Sequence, residues 1–190
     1  VMIDAGHGGH DEGAIGPSGL TEADLNRVQS AWLEKTLEGL GSRVIQTRVD
    51  DTFIALDQRI RKVEHQDPDL FVSLHHNSVS LDQDPLIDRG PLVFYHYDHA
   101  QRFAEEVALE LNRLLMPETS PRVRRQNFRV IRNISLCPSI LVETAYVCHP
   151  DDEWLLRQDE THQKTAAAIA TLVRLVRYVP PAVLFGIAYI

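Results

Sequence analysis

Short runs rich in β-branched and large apolar residues recur along this chain with helical stretches between many of them, and this alternation restricts the fold more than any other feature. The runs are Val1 to Asp4, Arg43 to Thr47, Leu70 to Leu74, Leu92 to Tyr97, Phe128 to Ile131 and Ile140 to Glu143. Strands that are apolar throughout are buried on both faces, and parallel neighbours need a crossover, most often a helix. The expectation is an α/β fold of three layers: a mostly parallel central sheet of about six strands, flanked by helices. A chain of 190 residues with 44% hydrophobic content supports one substantial core. One domain over residues 1–179 is expected, with the apolar stretch 180–190 left unassigned as an extra strand or a linker remnant. Val1 lies inside a core strand and reads as a cut end of a longer precursor.

The helices announce themselves by caps and breakers. Thr21 can cap a first helix, with Asp24 three residues on as the acidic half of a capping box. Leu25, Val28, Trp32, Leu37 and Leu40 give that helix an apolar face, and Gly41 stops it. A second helix is expected over about 55–64. A third runs from a cap at Asp98 through Phe103, Val107, Leu111 and Leu114 to Pro117, and a last long one from Pro150 to Pro180, with Ala166, Ile169, Ala170, Val173 and Val176 on one side. The polar, proline-containing stretch Asn77 to Pro91 is the expected irregular region, long enough to gate a neighbouring site.

Charge removes some functions from consideration. A formal charge of −8 argues against a general affinity for nucleic acid or an anionic membrane. No apolar run reaches the ~18 to 20 residues of a membrane span. Two cysteines, Cys137 and Cys148, provide neither a disulfide framework nor a CxxC metal knuckle.

Directly after the first strand comes "GHGGHDEG", with His7 and His10 among glycines. A phosphate cradle, a metal site and a polar turn are all open readings. The lysine and Ser/Thr of a P-loop are absent, and the glycines are out of register for a dinucleotide fold. A hydrolytic zinc site asks for three nitrogen or oxygen ligands and an open position. His7 past the first strand, Glu22 in the first turn of the next helix and His75 at the end of "DLFVSL" all fall at the C-terminal edge of a parallel sheet, where open α/β sheets bind ligands. Glu143 closes the apolar run "PSILVE" at the same edge, where an unpaired buried carboxylate is costly. Taken singly, each has an ordinary role: a hydrogen-bonded histidine, a dipole-favoured acid or a salt-bridge partner. Their convergence favours a metal centre with Glu143 as general base. His65, His96, His99, His149 and His162 have no motif around them.

The segments "IDAGHGGHDEGAIGPSGLTEADLN", "DLFVSLHHN" and "PSILVETAYVCHPDDEWLL", in this order, closely resemble the type 3 catalytic domain of zinc-dependent N-acetylmuramoyl-L-alanine amidases, over about 1–178. The resemblance implies a fold like that of zinc exopeptidases and phosphorylase/hydrolase proteins. It also implies one Zn2+ per chain held by His7, Glu22 and His75, with Glu143 activating water. The SxHxN register selects His75 over His76, and His10 falls outside the ligand positions. The implied reaction is hydrolysis of the amide between N-acetylmuramic acid and L-alanine of peptidoglycan, in the periplasm or cell wall, in the setting of cell-wall degradation and cell division. A zinc carboxypeptidase-like exopeptidase and a non-catalytic wall-binding module are the alternatives. The first normally has a closer His/Glu pair than one with fourteen intervening residues, and the second would tolerate loss of a ligand.

Asn77, Arg125 and Arg129 are candidate substrate-binding residues, the arginines belonging to a cluster that also holds Arg122, Arg124 and Arg132. Such a cluster is either a solvated face or a cationic wall for stem-peptide carboxylates. A monomer is expected, with any activator or wall-targeting module elsewhere in the precursor. Some relatives carry a longer insertion after the position of Asn77, with a helix that plugs the site. The proline-broken linker here implies an uninhibited domain.

Overall fold

The computed structural model describes residues 1–178, with side chains described through Leu172. The stretch 180–190 and the placement of Val173 and Val176 therefore lie outside the described residues and side chains. Among the described residues six strands form one sheet, in the order β2-β1-β3-β6-β4-β5. They are β1 (Met2–Ala5), β2 (Ile45–Gln46), β3 (Phe71–Asn77), β4 (Leu92–Tyr95), β5 (Val123–Arg125) and β6 (Ser139–Tyr146). Strands β2, β1, β3 and β6 run parallel, and β4 is antiparallel to β6. The expected three-layer, mostly parallel sheet is the architecture found.

Strand alternation sorts the side chains into two cores. Ile3, Val72, Leu74, Ile140 and Val142 face one side and pack against α1 (Glu22–Gly39), α3 (Asp98–Leu115) and α6 (Asp159–Tyr178). Met2, Phe71 and Leu141 face the other, covered by Val63 of α2 (Leu56–Gln66) and by Val130 and Ile131 of α4 (Arg129–Arg132). His75 and Glu143 share the parity of Phe71 and Leu141, so both side chains lie on the α2/α4 side.

The Thr21 hydroxyl caps α1 by accepting from the Asp24 N–H at 3.3 Å. At the other end Gly41 is left-handed (φ 75°), its N–H reaching Glu38 O and that of Ser42 reaching Leu37 O. This pair of bonds is a Schellman stop. The buried stripe of α1 departs from its apolar pattern: Asn26, Gln29, Ser30 and Leu33 are buried, while Val28 and Trp32 are only partly so. Two buried histidines account for Asn26 and Gln29, since His76 Nδ1 lies 2.8 Å from Asn26 Oδ1 and His162 Nδ1 lies 2.9 Å from Gln29 Oε1, while the Ser30 hydroxyl donates to Arg27 O at 2.8 Å.

Three expectations need correction. Phe128 to Ile131 is not a strand: Phe128 is the cap of α4, a single turn that packs Val130 and Ile131 into the second core. Four apolar-rich residues do not reveal their period, and the sixth strand is β5, an edge strand whose two arginines hid it. The helix from Pro150 is two helices, α5 (Pro150–Leu156) and α6, because the Arg157 and Gln158 N–H groups turn back tightly onto Trp154 and Leu155. Asp98 is the first residue of α3 rather than its cap, which is Tyr97.

The linker from Asn77 to Pro91 contains turns and no helix. Its far end is anchored by buried Asp152, whose carboxylate accepts from Arg89 Nε (3.0 Å), the Gly90 N–H (2.6 Å) and the Tyr146 N–H (3.0 Å). Cys137 and Cys148 are unpaired, and burial pushes the Cys137 thiol up to about 11.

A candidate metal centre at the sheet edge

A positive-φ turn after β1 and two buried arginines bring the polar groups to one point. The chain leaves β1 through a turn in which His7, Gly8 and Gly9 all have positive φ. For His7 (φ 59°) that is an uncommon conformation, and it swings the ring over the strand ends. Arg59 holds the turn from below: it donates to Ala5 O at 2.6 Å, to His7 O at 2.7 Å and to Asp4 Oδ1 at 2.6 Å. Arg48 joins Gly6 O (2.8 Å) to Ala23 O (2.9 Å), which ties the loop to the start of α1. Glu22, first residue of α1, is thereby delivered beside His7.

His7 Nε2 lies 3.2 Å and His75 Nδ1 2.8 Å from the same oxygen, Glu22 Oε1. The two rings stand edge to face with centroids 5.0 Å apart. One ligand atom from each of the three residues falls within 4.8 Å of the others, a group that can hold a metal ion. Glu22 Oε2 accepts from the Ala14 N–H at 3.0 Å, and Oε1 also from the His76 N–H at 3.2 Å, so the carboxylate is fixed in place.

Electrostatics follow from this geometry. Burial works against ionised Glu22, but hydrogen bonds and charge from His7 and His75 outweigh it and hold the carboxyl far below the usual carboxylate range. Burial likewise opposes protonated His7, yet Glu22 and then Asp11 raise it to about 9. Asp11 Oδ1 is 2.9 Å from His7 Nδ1. A carboxylate holding Nδ1–H leaves Nε2 as the free lone pair, which is how metal-ligating imidazoles are oriented. Sequence reading passed over Asp11; its signal was the four-residue interval from His7 in a glycine loop.

Glu143 sits in register with His75 on the neighbouring strand. Its Oε2 is buried with no hydrogen-bond partner. Burial raises this carboxyl to about 7, against the opposing charge of His75. A buried orphan oxygen with no fold-supporting bond has the character of a proton carrier.

The glycines around the cluster are fitted to it. A Cβ on Gly6 would lie 2.2 Å from His75 Cε1, and one on Gly13 (φ 67°) would lie 2.6 Å from Glu22 Oε2. Gly6→Ala is therefore expected to displace the His75 ring and weaken metal binding at least about tenfold, as read by competition against a chelator. Unchanged affinity would show that the ring has room to retreat.

The remaining candidates separate. Asn77 Oδ1 accepts from the Ser78 N–H at 2.8 Å, which closes the end of β3, just beyond a register irregularity. Arg125 is not brought to the site: it is level with Ile140 on the far edge strand, about 10 Å below Glu143 along the strands, and pairs with Asp98 at 3.1 Å. Strands β4 and β5 are parallel to each other and run opposite to β6, which carries it there. Arg122 is occupied by the carbonyls of Arg89, Gly90 and Pro91, so the arginine run forms no single wall. Arg129 pairs with Asp57 and lines a cavity beside His7 and His75. His10 packs on Phe53, with ring centroids 4.1 Å apart, outside the cluster.

Residues 1–174 match the family description "N-acetylmuramoyl-L-alanine amidase". The chain belongs to this family. Its sequence is 33% identical over 172 residues to the uncharacterised protein YqiI of Bacillus subtilis, covering 89% of this chain and 80% of that protein. It is 31% identical over 172 residues to the N-acetylmuramoyl-L-alanine amidase LytC of the same organism. That match covers 89% of this chain and 34% of LytC, so the chain spans about a third of LytC's length. Among solved structures, the amidase AmiC2 of Nostoc punctiforme superposes with a TM-score of 0.84 at 34% identity, covering 93% of this chain and 96% of that one. The catalytic domain of the amidase CwlV from Bacillus (Paenibacillus) polymyxa var. colistinus gives 0.80 at 29%, covering 94% and 98%. Fold and family thus bear out the resemblance read from the three sequence segments.

Proposed function

We propose that this domain hydrolyses the amide between N-acetylmuramic acid and L-alanine in peptidoglycan, with one zinc ion held by His7, Glu22 and His75 and with Glu143 as the general base. The observation carrying this reading is the convergence of two imidazole nitrogens and one carboxylate oxygen within 4.8 Å, beside the partnerless carboxylate oxygen of Glu143. Two nitrogens and one oxygen are a donor set of catalytic zinc sites. Zinc at such a site polarises a carbonyl and lowers the pKa of water toward about 7.

The chain's own residues supply the rest. Asp11, at the far nitrogen Nδ1, fixes the His7 imidazole. Glu143, raised to about 7, can take the proton of the attacking water near neutral pH and give it to the amine nitrogen as the carbon–nitrogen bond breaks. Water oxygen ends on the muramyl carboxylate and the proton on the N-terminus of the released peptide. Since the substrate is wall polymer, the place of action is outside the cytoplasm.

Calorimetric titration of metal-free protein with zinc is expected to give one site, lost in Glu22→Ala and weakened about 10- to 100-fold in Asp11→Asn. Full-strength binding in Glu22→Ala would remove this ligand set. The exopeptidase alternative predicts single amino acids trimmed from peptides, whereas the amidase releases intact stem peptides beginning with free L-alanine.

A further inference from the structure

A cavity of about 430 Å³ opens beside the cluster, between His7 and His75 on one side and the start of α2 on the other. It lies on the α2/α4 side of the sheet, the side that Glu143 faces. Its outer wall is apolar, formed by Phe53, Ile54, Leu56 and Val130. Phe53 and Leu56 are exposed there, although large apolar side chains at the mouth of a site would otherwise be covered.

Two arginines line this cavity, and they are not equivalent. Arg59 is buried and fully committed: its guanidinium holds Asp4 and the carbonyls of Ala5, His7 and Ile54. Arg129 is half-exposed and meets the half-exposed Asp57 through Nη2 alone. An exposed pair of this kind is weakly held and exchanges readily in water. A guanidinium offers five donors in a planar fork suited to a carboxylate. The cavity thus joins an aliphatic and aromatic wall to one exchangeable cation.

We infer that this cavity receives the peptide side of the scissile amide, with Arg129 as the anchor for a carboxylate of that peptide and Asp57 as a built-in competitor for the anchor. The inference rests on the amidase reading above and adds a specificity to it. The two halves of the substrate differ in the chemistry they offer. The peptide carries short alkyl groups and carboxylates, which match this wall and this cation; the glycan carries neutral hydroxyl and acetamido groups, which match neither. Asp57 keeps the fork neutralised until a carboxylate displaces it, so a peptide whose carboxylate is converted to the amide loses the charge-assisted contact.

The test uses calorimetric binding of two free peptides to the zinc-loaded domain. Both begin with L-alanine; the second residue of one carries a free carboxylate, and that of the other carries the corresponding carboxamide. The acidic peptide is expected to bind about tenfold or more tightly, and Arg129→Gln to abolish that preference by weakening the acidic peptide alone. Asp57→Asn is expected to strengthen the acidic peptide a few-fold and leave the amidated one unchanged. An equal effect of Arg129→Gln on both peptides, or on neither, would overturn the proposal. Melting temperature and zinc content of each variant separate lost recognition from lost fold. Failure of the amidase reading shows differently, as intact wall polymer after incubation with the parent domain, because peptide binding is measured without turnover.

Discussion

Glu143→Ala is expected to lower turnover of peptidoglycan by at least ~10²-fold while the protein retains its zinc. Glu143 contributes no bond to the fold through Oε2 and stands one strand from His75, outside the group of three that gathers around Glu22 Oε1. On the proposed mechanism its loss removes the proton carrier and leaves the three proposed ligands in place. Zinc content equal to the parent with activity within a few-fold of it would remove Glu143 from the mechanism.

The same residue gives a pH signature in the metal-free protein. Folding raises its carboxyl from the ordinary 4.5 to about 7, chiefly by burial. Between those values the folded chain holds a proton that the unfolded chain has released, so stability falls as pH rises. Above pH 7 the cost is fully present, on the order of 3 kcal/mol for such a shift. Glu143→Gln is expected to be more stable than the parent by about that amount at pH 8, and equal to it below about pH 4, in metal-free urea denaturation.

The second large effect is structural. Asp4→Ala is expected to cost about 3–5 kcal/mol, because it leaves the Arg59 guanidinium buried and uncompensated. Asp4 accepts from Arg59 Nη1 (2.6 Å), Thr47 Oγ1 (2.7 Å) and Ser73 Oγ (2.8 Å), and neither member of the ion pair is more than 3% exposed. Burial opposes the charge on Asp4, and Arg59 overcomes it, leaving the carboxyl below its usual range. The stability it contributes is present above the unfolded carboxyl's pKa and lost in acid. Because Arg59 also grips the carbonyls on either side of the first turn, the damage is expected to reach His7. Denaturant unfolding reads the first consequence and zinc affinity the second; a loss below about 1 kcal/mol would show the pair to be dispensable.

The Asp4–Arg59 pair also shows what sequence reading missed. His7, Glu22, His75 and Glu143 were legible because each stands at a strand end or helix start, and sheet geometry gathers those ends. Asp4 lies within a strand, and Arg59 is on a helix 55 residues later. Nothing in local periodicity pairs them. Arg125 misled for a related reason: proximity in sequence to Arg129 conceals an antiparallel strand that sends it to the opposite edge. The short run Phe128 to Ile131 was ambiguous between strand and turn, and packing against α2 decided it.

The proposed activity is metal-dependent cleavage of one particular amide. Purified wall digested by the domain, with and without a chelator, and read by mass spectrometry tests it most directly. Intact stem peptides with a free N-terminal L-alanine and unbroken glycan strands are expected, with release abolished by the chelator and restored by added zinc. Undiminished release under chelation, or fragments cut within the peptide or between sugars, would contradict it.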